Sequence, residues 1–135
     1  MKEKTINICG KEVRIIYCAA TENLFEDISG KSTSVFVPTF GKDKDGKDIV
    51  VAPPKATIGD FVTLAVAGII AAYTKSGEEM PVTSEDILYS ATPYERNELL
   101  TTVVDIRNEW YNIPKVVDDT LKKEAAAGKE KSKKN

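Results

Sequence analysis

The run from Phe61 to Tyr73 carries no charge, and any fold of this chain has to be organised around it. Its apolar residues do not keep to one side of a helix. Over a helix expected from about Thr57 to Thr74, Ile58, Phe61, Val62, Leu64, Val66, Ile69, Ile70 and Tyr73 spread around most of the circumference. The uncharged run is too short to span a bilayer, so it reads as a buried helix and no membrane is implied. Gly59, Thr63, Ala67 and Ala71 recur every four residues as a stripe of small side chains where another helix can approach closely. Two readings stay open. Either the fold encloses this helix completely, or one strip stays uncovered until a partner or a second subunit docks on it. The second is kept open because only 41% of the 135 residues are hydrophobic, little material to wrap a helix on every side.

A chain of this length is expected to form one compact domain, here residues 1–121. Its fold class is α+β: a β-rich part over 4–52, then a helical part over 57–113 forming a small bundle of about three helices. Residues 122–135 hold six lysines and two glutamates and offer nothing to bury, so a disordered lysine-rich tail is expected there. Without them the chain has 13 basic and 19 acidic residues, a net charge of −6. An acidic body repels a phosphate backbone and a lysine tail attracts one only weakly, so nucleic acid is not expected as a partner. The first 16 residues lack the apolar core and cleavage site of a secretory signal, which points to the cytoplasm.

The β-rich part opens with a hairpin. Thr5–Cys9 and Glu12–Tyr17 flank Gly10-Lys11, which suits a two-residue type II′ turn. That turn pairs Cys9 with Glu12, Ile8 with Val13 and Ile6 with Ile15, gathering the apolar residues on one face with Tyr17. Cys18 then lies roughly 20 Å from Cys9 along the strand, far beyond disulfide reach, so two free thiols are expected. A short helix follows over Thr21–Ser29, with Thr21 as cap, Gly30 as stop, and Leu24, Phe25 and Ile28 turned to the hairpin. Ser34–Val37 and Ile49–Val51 read as a second hairpin around the turn-rich 41–48, with Pro38 marking an edge. Testing Asp43-Lys-Asp45-Gly46 as a calcium loop puts Gly41 and Ala52 where the two essential carboxylates belong; it is a turn.

In the helical part Thr57 with Asp60, Thr83 with Asp86, and Thr92-Pro93 with Glu95 each mark a helix start. The last helix runs to about Asn112, because Pro114 disfavours helix before it. Leu99, Leu100, Val103, Val104, Ile106, Trp110 and Tyr111 make its apolar stripe, with Arg96 and Arg107 projecting from the same side. Those arginines either snorkel to water at the ends of the stripe or border a surface that receives acidic groups of a partner. Trp110-Tyr111 is the best single interface anchor. Phe61, Leu64, Ile69, Tyr73, Arg96, Arg107, Trp110 and Tyr111 are therefore the candidate partner-binding residues. Catalysis finds no support: there is no histidine, no Cys-x-x-Cys, no phosphate loop and no nucleophile elbow, so no catalytic residue, cofactor or metal ligand is nominated.

Two stretches carry a family resemblance. Residues 6–31, a strand, a Gly-Lys turn, a second strand and a helix ending Ile-Ser-Gly-Lys, resemble the N-terminus of bacteriophage tail assembly chaperones. Downstream, the apolar "DFVTLAVAGIIAAY" helix, an acidic turn, further helices and a lysine-rich end resemble the same family; the 35–51 hairpin departs from its compact pattern. The resemblance implies a non-catalytic chaperone of the host cytoplasm. Its partner would be the tape-measure protein, kept soluble until tail tube protein subunits polymerise around it, with self-association as a homo-oligomer along that rod. It also raises a longer, frameshifted form beginning near Lys133-Lys134-Asn135. The alternative is a structural tail or head–tail connector subunit retained in the particle.

Overall fold

The computed structural model describes residues 1–113. The chain starts with a tight hairpin, β1 (Lys2–Ile8) against β2 (Lys11–Tyr17), and passes directly into helix α1 (Ala19–Ser29). A 3-10 turn (Thr33–Phe36) leads to a second, separate hairpin of β3 (Thr39–Lys42) and β4 (Asp48–Ala52). Three helices complete the α+β fold: α2 (Ile58–Ser76), the short α3 (Ser84–Tyr89) and α4 (Pro93–Tyr111). The tail expected over 122–135, the end of the domain over 114–121 and any frameshift position fall outside the described residues.

α2 is the centre of the molecule. α1 and α4 pack on it, and β2 lies along it. Leu64, Ala65, Ala67 and Ile69 are fully buried, and burial continues through Ala71, Ala72 and Tyr73. At 19 residues the helix is long and apolar enough to cross a bilayer, yet more than half of it is buried inside the fold, as in a core helix. Its start is held by the expected reciprocal pair. Thr57 Oγ1 accepts the Asp60 amide at 3.1 Å, and Asp60 accepts the Thr57 amide at 2.9 Å. Lys31 Nζ also reaches the Asp60 carboxylate at 2.9 Å. These bonds, the Thr57 amide foremost, hold Asp60 below the usual carboxylate range.

Helix and hairpin meet at Gly68. A Cβ built there would lie 2.7 Å from the Ile16 carbonyl and 2.8 Å from Ile15 Cγ1, so only glycine allows this approach. The outer edge of β2 is closed by side chains in place of a third strand. The Arg14 amide donates to Tyr73 Oη at 3.1 Å, and Thr21 Oγ1 donates to the Ile16 carbonyl at 3.0 Å. Two strands with a capped edge and a helix on one face form a stable unit that two strands alone do not.

Four sequence-based expectations need correction. The first hairpin turns at Cys9-Gly10, with φ of 53° and 74°, the type I′ geometry, and pairs Ile8 with Lys11 and Ile6 with Val13. Both registers put Ile6, Ile8, Val13, Ile15 and Tyr17 on the same face, so the apolar pattern could not separate them. At the turn, Lys11 Nζ donates to the Pro81 carbonyl at 3.1 Å. Secondly, α1 is capped at Cys18, not Thr21, because β2 ends one residue before the helix begins. Thr21 is instead buried inside the first turn, where its hydroxyl accepts the Cys18 amide at 3.3 Å. Thirdly, α1 packs mainly on α2 instead of the hairpin; Phe25 is buried and Ile28 is exposed. Fourthly, 34–37 is no strand. It coils into the 3-10 turn so that Phe36 can enter the core, 4.9 Å from the Phe25 ring centre and 5.0 Å from that of Phe61. The remaining readings of this region hold: both cysteines are free thiols, and Thr83–Asp86 and Thr92–Glu95 cap their helices as expected.

Candidate binding surfaces

The residues nominated from the sequence separate into two groups. Leu64, Ile69 and Tyr73 are enclosed in the core and Phe61 is half-buried against Phe36, so α2 offers no continuous outward strip. Arg96, Trp110 and Tyr111 are exposed, all on α4.

Arg107 belongs with neither reading given to it. It does not snorkel: it is only 8% exposed, and its Nε is buried without a hydrogen-bond partner. The guanidinium lies 4.8 Å from the centre of the Tyr111 ring and 5.9 Å from that of Phe36, so two aromatic rings supply much of its environment. The Glu22 carboxylate accepts two tyrosine hydroxyls, from Tyr17 at 2.9 Å and from Tyr111. The two tyrosine rings meet edge to face, 6.3 Å apart. Burial, followed by the Glu22 bond, pushes Tyr111 up to about 12, and burial with the Glu22 charge pushes Tyr17 up further. This cluster ties the end of α4 to the start of α1.

Further exposed apolar side chains lie elsewhere, and the sequence reading did not nominate them. Among the described residues the β3–β4 hairpin is an arm fastened at its root. Phe36 plugs the core there, and the Ala56 amide donates to the Val35 carbonyl at 2.9 Å, closing the two ends of the segment together. Beyond that clip, among the described residues, neither strand packs substantially on another element. Phe40 (48% exposed), Ile49 (39%) and Val51 (56%) stand in water, with Val37 exposed beside them. At the tip, Asp43 Oδ1 accepts the amides of Asp45 and Lys47, both at 2.9 Å, and Gly46 takes the left-handed conformation with φ of 77°. A second patch is formed by Leu88 and Tyr89, the latter 82% exposed, with Tyr94 exposed at the start of α4. A signal for both existed. Pro38 and Pro53-Pro54 bracket the arm and separate it from the body, and the six-residue α3 buries Ile87 alone, leaving Leu88 and Tyr89 surplus.

Among the described residues no group of three potential metal-ligating side chains converges. Among the described residues a depression of about 170 Å³ is lined by Met1, Glu3, Arg14, Ile16, Ala72, Lys75 and Ser76. Compared with known proteins, the chain matches no family model, no curated protein and no solved structure.

Proposed function

We propose that this chain is a non-catalytic chaperone that binds another protein, the tape-measure protein of a phage tail, in the cytoplasm of the bacterial host. The observation that supports the reading best is the contrast between a closed core and an open periphery. The inward faces of α1, α2 and α4 are buried, while Leu88, Tyr89, Tyr94 and Trp110 stay in water at separate places. Dispersed anchors of this kind make several small contacts, not one tight one. Each is partly covered by its own chain, so completing its burial contributes roughly 1–2 kcal/mol. A sheath held by such contacts grips an apolar rod and still yields to tube subunits that bind it better. An acidic body keeps the coated rod soluble. The chain has no histidine, and no residue stands out as a nucleophile or general base.

Co-expression with the tape-measure protein tests this directly. The rod protein is expected in the soluble fraction only when the chain is present, and the two should co-purify. Finished particles should lack the chain by mass spectrometry. Capture should weaken in Trp110→Ala and in Tyr89→Ser, which leave the core intact. A rod that is equally soluble alone, or a fixed copy number of the chain in purified particles, removes the chaperone reading.

A further inference from the structure

We infer that the β3–β4 arm is a self-association device: the outer edge of β4 pairs antiparallel with β4 of a second copy, making a four-stranded β3-β4-β4-β3 sheet across a two-fold axis. The inference stands on the arm alone and does not require a tape-measure partner.

The two edges of the arm are built differently. Pro38 precedes β3, Lys42 ends it, and the strand has four residues, features that blunt an edge against pairing. β4, five residues long, carries its charge at its start, Asp48, and meets Pro53 only past its end, which leaves Ile49 to Ala52 as a run of three β-branched residues and an alanine. Among the described residues no backbone hydrogen bond reaches its outer edge. Two strands that pack on nothing are marginal in water, whereas four with apolar faces are stable, so pairing at β4 supplies what the arm lacks.

The occupant follows from self-complementarity. An antiparallel β4–β4 pair centred on Val50 sets Val50 against Val50, Ile49 against Val51, and Asp48 against Ala52. β-Branched residues therefore meet each other, and no charge meets a like charge. The arm from Thr39 to Ala52 holds three lysines and three aspartates, so it is neutral on a body of net negative charge. Two acidic copies can approach there without a repulsive field, and an isologous contact closes after two copies. The register irregularity at Val51, two residues of β4 opposite one of β3, limits the ladder to a few residues. The guarded β3 edges end up outside, which stops growth into a fibre. Pro53-Pro54 ends the paired segment on the other side.

Sedimentation equilibrium on the full chain from about 1 µM to about 1 mM should show a monomer–dimer equilibrium. The double substitution Ile49→Lys and Val51→Lys places charges along the edge and should weaken dimerisation at least tenfold. Its far-ultraviolet spectrum should keep the helical signal, since the body does not depend on the arm. In a Cys9→Ser, Cys18→Ser background, Val50→Cys should form a covalent dimer on mild oxidation, because paired antiparallel Cα atoms lie about 4.5–5.5 Å apart, within disulfide reach. Lys42→Cys on the guarded edge should not. A chain monomeric throughout the range overturns the proposal, as does a dimer indifferent to the lysines. Cross-linking through Lys42→Cys in place of Val50→Cys overturns it too. So does a monomer whose arm substitutions abolish capture of a different protein.

Discussion

Placing alanine at Gly68 removes a residue that costs a helix about 1 kcal/mol, so on helix propensity alone Gly68→Ala should stabilise the protein. The packing predicts the opposite. The new Cβ would sit 2.7 Å from the Ile16 carbonyl oxygen and 2.8 Å from Ile15 Cγ1. A methyl group and a carbonyl oxygen need about half an ångström more than that, and the oxygen belongs to backbone held on its far side by the β1–β2 ladder and by Thr21. Overpacking of this kind costs about 1–3 kcal/mol, and the rigid neighbour puts this site in the upper part of that range. The net expectation is a loss of about 1–2 kcal/mol, or roughly 4–8 °C in the melting temperature of a domain this size. Gly59 on the same helix is the control. A Cβ there meets only Thr57 Oγ1 at 3.6 Å, an ordinary contact. Gly59→Ala should therefore gain about 0.5 kcal/mol. Urea unfolding of both variants reads the two signs side by side. If Gly68→Ala is as stable as the parent or more so, the close approach of α2 to β2 is wrong.

Thr21→Val keeps the shape of a buried side chain but leaves the Cys18 amide and the Ile16 carbonyl without their partner, so it should cost about 2 kcal/mol in urea unfolding. Tyr73→Phe uncovers the Arg14 amide at the edge of β2, and that amide should exchange with deuterium about tenfold faster while the global stability falls by about 1 kcal/mol. Tyr111 is raised by burial and by Glu22 to about 12, so its contribution to stability is complete below the unfolded tyrosine value near 10 and is lost as pH rises from there to about 12. Tyrosinate absorbance should show a step near pH 12 that disappears in Tyr111→Phe. Asp60 is shifted the other way, so its contribution is present above the unfolded aspartate value and is lost as pH falls through the depressed one. Asp60→Asn should be less stable than the parent at neutral pH by about 1 kcal/mol, and the two unfolding curves should converge in acid.

Local chemistry was legible in the sequence, and tertiary choice was not. Three helix starts were readable because a threonine and an acid three residues apart satisfy each other's backbone amides wherever the chain goes. The start of α1 was not, because cysteine is no usual cap and the helix begins as soon as β2 ends. Ser34–Val37 has strand composition, but burying Phe36 between Phe25 and Phe61 outweighs the propensity of its neighbours. The first hairpin shows the limit of pattern reading most clearly. Moving each strand by one residue in opposite senses leaves every side chain on its face, so alternation fixes the faces and says nothing about which of two turns joins them.

The surface residues failed to show in the sequence for a related reason. A helix apolar on every side was read both as core and as a docking surface, yet the same property argues against the second. The more of its circumference is apolar, the more the chain gains by wrapping it, and here α1, β2 and α4 do so. A surface meant to stay in water is composed differently: a few large apolar side chains set among charges and prolines, on an element too short or too isolated to bury them. Phe40 and Val51 on a hairpin bracketed by prolines with a charged tip, and Leu88-Tyr89 on a six-residue helix, have that composition. Arg107 is the converse case. Its charge marked it as a surface residue, but two aromatic faces provide a setting in which a guanidinium is held inside the fold. Arg107→Leu should therefore disturb stability and leave partner capture intact, whereas Trp110→Ala should do the reverse. Loss of capture in Arg107→Leu at unchanged stability would return that residue to the binding surface.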